Sequence, residues 1–333
     1  MKKCIVISDS FKGSLSSGEI CDIARACFAE VLSDCELTAI PVADGGEGTV
    51  DCFHQVCGGE LVPVTVQGPF GQDMEVAYLR LDGGRAVIEM ASSAGLPLVG
   101  DRRDPRITST YGVGQQIRHA VEQGSTQILL GLGGSCTNDG GCGCAAALGV
   151  RFLDRAGQAF VPTGGTLDQI AHIDVSGARQ LLQTVKLTAM CDIDNPMHGP
   201  TGASYIFGPQ KGADPAMVEF LDGQLKALDA VIQRELHRAV ADVPGAGAAG
   251  AFGAGILAFL DGTLCPGIEA VLDLVDFDGK LKDCDLVITG EGRFDSQSIR
   301  GKVVSGVSRR AKRQGVPVAV IAGSVAEDVE SVS

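Results

Sequence analysis

Apolar positions along this chain fall into short continuous runs and one-faced helical stretches, and they alternate in a regular way at both ends. Cys4 to Ser8 is an apolar run of strand length, ending in Asp9-Ser10-Phe11-Lys12-Gly13-Ser14. After it, Ile20, Ile23, Ala24, Cys27, Phe28 and Val31 recur at helical spacing, which predicts a helix from Ser16 or Ser17 to Leu32 with Glu19 in its first turn. A second strand, Glu36 to Val42, runs into Ala43-Asp44-Gly45-Gly46-Glu47-Gly48-Thr49 and a helix from Val50 to Val56. From Leu61 the texture becomes alternating strands, with a hairpin predicted around Asp82-Gly83-Gly84. Further strands are expected at Gln127 to Leu132, Val185 to Cys191, Cys284 to Gly290 and Val316 to Ile321, a second hairpin around Asp154 to Gly157, and a long helix from Pro215 to about Val240.

Buried strands that each break into a small-residue turn and restart as a helix read as parallel α/β units. The two chain ends share that texture and the middle does not. The predicted fold is therefore α/β: a Rossmann-like, doubly wound domain built from both chain ends (1–60 plus 280–333), with a distinct inserted α/β domain (61–279). The length of 333 residues fits two domains, and 46 glycines with no Trp suit many strand-to-helix turns.

Charge narrows the partners. A formal net charge of −14 disfavours nucleic acid and anionic membranes, so an anionic substrate needs a locally positive site. Met1 leads straight into a strand without an apolar leader, and no window approaches a membrane span. The 12 cysteines sit within strand and helix patterns, and neither they nor the 5 histidines show zinc spacing. A cytoplasmic enzyme with reduced thiols is expected, and the residues leave its oligomeric state, a homodimer included, open.

The densest chemistry lies in Gly131 to Gly143 (GLGGSCTNDGGCG), between a strand and a helix-like run from Cys144 to Val150. Glycines let backbone N–H groups approach an anion, and a helix N-terminus adds partial positive charge. Ser135, Thr137 and Asn138 add side-chain donors, and Asp139 either faces a metal or caps the helix. Asp192 and Asp194 flank one residue at a strand end, so both can face one Mg²⁺ or a substrate hydroxyl; an Asx turn into Pro196 is the plainer reading. Lys12, beside Asp9, offers a cation for a phosphate or carboxylate, while Asp9 and Ser14 can equally brace the turn. Gly199 to Gly212 is another small-residue loop, ending in Lys211. Gly245 to Gly250 (GAGAAG) matches a dinucleotide fingerprint but follows Pro244 rather than a strand, so close helix packing or a nucleotide-facing turn is expected instead.

Taken together, DSFKGS (Asp9 to Ser14), PVADGGEGT (Pro41 to Thr49), STYGVG (Ser109 to Gly114), GGSCTNDGG (Gly133 to Gly141), CDIDNP (Cys191 to Pro196), FGPQKGA (Phe207 to Ala213), PGAGAAGAFG (Pro244 to Gly253) and TGEGRFDSQS (Thr289 to Ser298) resemble the type I glycerate kinases over essentially the whole chain. The resemblance implies ATP- and Mg²⁺-dependent phosphorylation of D-glycerate at the 2-hydroxyl, giving 2-phosphoglycerate. Phosphorylation at the 3-hydroxyl is the alternative within that class. An NAD(P)-dependent hydroxypyruvate or glycerate dehydrogenase and a solute-binding protein are alternatives outside it. Such kinases usually continue past the point where this chain stops, so a further C-terminal segment is expected.

No G-x-x-x-x-G-K-[ST] is present, so a P-loop is excluded. Phosphoryl transfer needs phosphates held, charge offset and a hydroxyl aligned. The expected nucleotide-holding residues are Gly133, Gly134, Ser135, Thr137, Asn138, Asp139 and Gly140. Asp192 is expected to align the hydroxyl, with Asp44, Glu47 and Glu291 next in line. Lys12 and Arg293 are expected near the carboxylate or the transferring group, and Asp194 and Asp295 near the metal.

Overall fold

The computed structural model describes residues 2–11, 14–42, 45–294 and 303–326. In chain order the strands are β1 (Lys2–Ser8), β2 (Cys35–Pro41), β3 (Glu60–Gln67), β4 (Asp73–Leu81), β5 (Arg85–Glu89), β6 (Gln127–Gly131), β7 (Arg151–Leu153), β8 (Ala159–Phe160), β9 (His172–Asp174), β10 (Lys186–Met190), β11 (Thr263–Cys265), β12 (Leu286–Phe294) and β13 (Val318–Val325). They divide between two compact units, one of Met1–Asp44, Asp51–Cys57 and Pro266–Ser333, the other of Gly45–Val50 and Gly58–Cys265.

The terminal unit carries a sheet in the order β13-β12-β1-β2, with every pairing parallel. Cys4 to Ser8 are all buried, as a parallel strand covered on both faces requires. On one face Ile5, Ile7, Ile40 and Val287 form a core with Ile268, Leu272, Phe277, Leu281, Val303 and Val307.

That core moves the expected boundary. The helices Gly267–Leu274 and Phe277–Leu281 belong to the terminal unit, because Leu272, Phe277 and Leu281 are the apolar cover of its sheet. Conversely, Gly45–Val50 groups with the inserted unit.

The helix Ser17–Val31 opens with the expected capping box, Ser16 with Glu19. Its apolar face is narrower than the sequence suggests. Cys21 is buried and Ala24 and Phe28 half-buried, whereas Ile23 and Val31 stand in solvent at 49% and 75% exposure. Ile23 and Val31 lie off the Ser17–Cys21–Ala24–Phe28 line, so the helix presents a narrower stripe to the sheet than the full set of apolar residues implied.

The inserted unit holds a six-stranded sheet in the order β11-β10-β6-β5-β4-β3. β5, β6, β10 and β11 run parallel, while β3 and β4 add an antiparallel edge through the hairpin at Asp82–Gly84. A small antiparallel sheet, β8-β7-β9, contains the second hairpin. The core joins Ile88, Leu130 and Ala189 from the sheet to Val113, Ile117, Leu225, Leu228, Phe252 and Phe259 from helices. Among the described residues, no helix is long and apolar enough to cross a membrane.

Candidate active site

In the inserted unit the four parallel strands bring their carboxyl ends to one edge of the sheet, where open α/β sheets present ligand sites. Gly131 at the end of β6 is in register with Glu89 of β5 and with Met190 of β10. The chain leaving β6 is the glycine turn, and the chain leaving β10 is Cys191-Asp192-Ile193-Asp194. Neighbouring strands lie about 4.8 Å apart, so the two emerge side by side.

Backbone crowding explains the glycines at the start of the turn. The Gly45–Gly46 segment crosses the tip of β6, and the Gly133 N–H donates to the Gly45 carbonyl at 2.9 Å. A Cβ on Gly133 would stand 2.7 Å from Gly46 Cα. Gly134 follows with φ +74° and is exposed. Next to it, the carbonyls of Gly134 and Ala94 accept from Leu96 and Cys136, tying the turn to the Ser92–Gly95 segment. Among the described residues, the N–H groups of Gly134 and Ser135 have no acceptor. Gly134 is exposed and left-handed and Ser135 beside it is buried at 6%, so two adjacent amides without a described acceptor straddle the surface, an arrangement that can hold an anion.

The rest of the expected nucleotide set lies beneath this surface, which corrects the reading of four residues. Thr137, Asn138, Asp139 and Gly140 are all buried. Asp139 spends both carboxylate oxygens internally: Oδ2 accepts from the Thr110 N–H at 2.8 Å, the Thr110 hydroxyl at 2.8 Å and the Gly143 N–H at 3.2 Å. Its Oδ1 accepts from the Gly141 N–H at 3.1 Å. Burial pushes this carboxyl above its usual range against the pull of those bonds. Asp139 therefore caps the helix Cys142–Ala147 and pins the start of the helix Tyr111–Glu122, and its carboxylate does not face a ligand. The Gly140 N–H is used on the Gly250 carbonyl at 3.0 Å, and Asn138 Nδ2 donates to Ser204 Oγ at 3.2 Å. Thr137 Oγ1 and Asn138 Oδ1 are buried without a described partner.

The GAGAAG stretch is a packing element. Ala249, Gly250 and Ala251 are left-handed, with φ of 54°, 69° and 67°. A Cβ on Gly250 would overlap the Thr137 carbonyl and stand 2.6 Å from Asn138 Cα. Backbone thus lies against backbone under the glycine turn, and a nicotinamide-type site is absent from this stretch.

At the β10 tip Asp192 and Asp194 are both exposed, and Asn195 Nδ2 donates to the Thr201 carbonyl at 2.8 Å. An exposed carboxylate pair at this edge suits Mg²⁺, which takes one or two carboxylates and completes its shell with phosphates and water. Among the described residues no cluster of three His, Cys, Asp or Glu could hold a metal by itself. Glu47 is exposed on the segment crossing the β6 tip.

The terminal unit holds a second set at the carboxyl ends of its own strands. The Asp9 N–H donates to Gly290 at 2.9 Å, and Asp9 Oδ1 accepts from the Ser10 N–H at 2.7 Å. Glu291 and Arg293, expected in a turn, lie within β12, which continues to Phe294 because Glu291 and Arg293 pair with Ala322 and Ser324 of β13. Glu291 is buried and Arg293 exposed. Lys12, Asp44 and Asp295 lie outside the described residues.

One residue the sequence undervalued is Lys211. It is 2% exposed, and its Nζ donates to Ser135 Oγ at 2.9 Å and to the Thr137 carbonyl at 2.6 Å. Burial pulls its ammonium down to about 8. Its signal in sequence was its neighbours: a lysine between Gly208-Pro209 and Gly212 is held by a turn, with Gly212 at φ +95°.

The Glycerate kinase family profile matches residues 4–333. A glycerate kinase from Halalkalibacterium halodurans is 46% identical over 100% of this chain and 88% of its own length. The glycerate 2-kinase of Escherichia coli is 45% identical over 98% of this chain and 86% of its own. A crystal structure assigned as glycerate kinase 2 from Salmonella typhimurium LT2 superposes with a TM-score of 0.88 at 45% identity, covering 97% of this chain and 87% of that one. With the strand-tip turn, the carboxylate pair beside it and these relatives together, the chain belongs to the glycerate kinase family.

Proposed function

We propose that the protein is a glycerate 2-kinase, transferring the γ-phosphoryl group of ATP to the 2-hydroxyl of D-glycerate to give 2-phosphoglycerate. The observation that supports this reading is the register of β6 and β10, whose adjacent ends lead into the glycine turn on one strand and into the exposed Asp192 on the other. One element holds anionic oxygens and its neighbour holds a base, the two things an in-line transfer to an alcohol asks of a protein.

The Gly134 and Ser135 amides fit the phosphate oxygens of ATP, donating where negative charge accumulates. Asp192 accepts the proton of the glycerate hydroxyl and keeps its lone pair aimed at phosphorus. Asp194 would hold Mg²⁺, which when bound would neutralise phosphate charge. Lys12 and Arg293 are the proposed substrate-binding cations of the terminal unit, with Asp44 and Glu291 as its carboxylates, and Glu47 is the other carboxylate on the inserted unit.

Incubation with ATP, Mg²⁺ and D-glycerate, followed by phosphorus NMR, tests the reading. Glycerate-dependent loss of ATP with phosphate on the 2-position is expected. Phosphate on the 3-position would overturn the regiochemistry alone, and no glycerate-dependent transfer would overturn the kinase.

A further inference from the structure

Ser135 is bound by a buried cation, Lys211, that has no counter-ion among the described residues. Among the described residues no carboxylate lies within ion-pair distance of Lys211. Its two bonds go to a hydroxyl and a carbonyl. A dry ammonium without an anion is costly, because its hydration is lost and nothing of opposite charge replaces it. Asp139 is the acid whose charge it feels, but both oxygens of Asp139 are already engaged by Thr110, Gly141 and Gly143.

Geometry says where the missing charge belongs. A serine hydroxyl has one proton to give and two lone pairs to accept with. As an ammonium Lys211 cannot accept, so in that form the 2.9 Å bond consumes one lone pair of Ser135 Oγ and leaves its proton undirected. Among the described residues that proton has no acceptor, and the Ser135 amide has none either. Hydroxyl and amide of one residue, buried at 6% exposure directly beside the exposed Gly134, are thus left as donors without a described acceptor.

We propose that Lys211 is the positioning residue of the phosphate-holding turn, occupying one lone pair of the Ser135 hydroxyl so that its proton is aimed away from the lysine and toward a nucleotide phosphate oxygen. The inference rests on the kinase reading and adds the residue that commits the turn to anions. The ammonium stays out of water, so its field reaches a bound phosphate through one hydroxyl with little screening. Two titratable groups face it: Cys136, whose thiol burial pushes up to about 12 and which is therefore neutral, and Asp139. A phosphate bound at Ser135 supplies the absent counter-charge and favours the protonated lysine, so nucleotide binding above pH 8 takes up a proton.

The test is calorimetry of ADP binding to the full chain at pH 8.5, in buffers of different ionisation enthalpy, beside steady-state kinetics. The wild type should take up a fraction of a proton. Lys211→Met should abolish the uptake and raise KM for ATP tenfold or more, with KM for D-glycerate within twofold. Ser135→Ala should show the same ATP defect, Ser135→Thr should keep most of the affinity, and the double variant should be no worse than Lys211→Met. Zero uptake in the wild type overturns the proposal, as do unchanged nucleotide affinity in folded Lys211→Met or additive defects in the double variant. Should Lys211→Met not fold, the wild-type uptake and the Ser135 pair still decide. A wild type that consumes no ATP with glycerate would instead bring down the kinase reading, and this one with it.

Discussion

Within the glycine turn hydrogen bonding does the sorting that burial does not: Ser135 and Asp139 are both buried, but the Ser135 amide has no described acceptor while both carboxylate oxygens of Asp139 are engaged. Asp139 shows why the sequence could not do that sorting. Its partner Thr110 lies 29 residues upstream, so a carboxylate beside glycines reads equally as a cap or as a ligand until the two are seen together. Lys211 was hidden for the opposite reason, since a lysine in a small-residue loop normally snorkels to water. Asp139→Ala would leave two hydrogen-bond donors of Thr110 and the amides of Gly141 and Gly143 without an acceptor in a buried site. A loss of about 3–5 kcal/mol is expected, read from urea denaturation. Asp192→Asn should behave in the reverse manner. Its side chain is exposed, so the unfolding midpoint should hold while kcat falls by about 10²-fold or more, the usual contribution of a general base. Near-normal turnover in a folded Asp192→Asn variant would remove Asp192 from that role.

At the scale of elements, strands and their order of appearance were legible because continuous apolar runs and glycine turns are local signals. What ended each element was less so. β12 runs on to Phe294 through residues that read as a turn, since β13 pairs with them and pairing is not written in either segment alone. The helix after the glycine turn is displaced to Cys142–Ala147, because Asp139 caps it earlier than the apolar run suggested. The left-handed stretch at Ala249–Ala251 was invisible, two of its three residues being alanines that rarely adopt φ above zero. Such strain persists only where surroundings impose it, and here the imposing contact is the glycine turn itself. Gly250→Ala tests that link: φ is +69° and the new methyl would meet the backbone of Thr137 and Asn138. The variant should lose about 2–4 kcal/mol, part from φ and part from overlap, and its ATP affinity should fall with no residue of the turn changed. Stability loss with unaltered nucleotide binding would show that the packing does not shape the turn.

Among the described residues, each of the two compact units has a large core of its own. Ile5, Ile7, Phe277 and Val307 share one core, and Ile88, Leu130, Leu228 and Phe252 share the other. That the chain ends meet was readable from their common strand-turn-helix texture, whereas the crossing at Cys265–Pro266 was not, because the apolar helices beyond it fit either unit by pattern. In the terminal unit those helices are fastened by Arg310, 8% exposed, which pairs with Glu269 at 2.5 Å, Asp273 at 2.6 Å and Asp278 at 3.2 Å. One guanidinium thus joins three helices, and Arg is suited to this because its fork serves several carboxylates at once. Arg310→Met keeps much of the aliphatic volume but takes the shared cation from three acids, of which, among the described residues, Glu269 alone keeps another partner, Arg309. These acids are partly exposed and can rehydrate, so about 2 kcal/mol of destabilisation is expected rather than the larger penalty of a sealed ion pair. Because the cores are separate, the loss should be confined to one of them. Native-state hydrogen exchange should show faster exchange in β1 and β12 of Arg310→Met, with β5, β6 and β10 unchanged. Equal acceleration in both sets would mean that the two cores unfold as one cooperative unit.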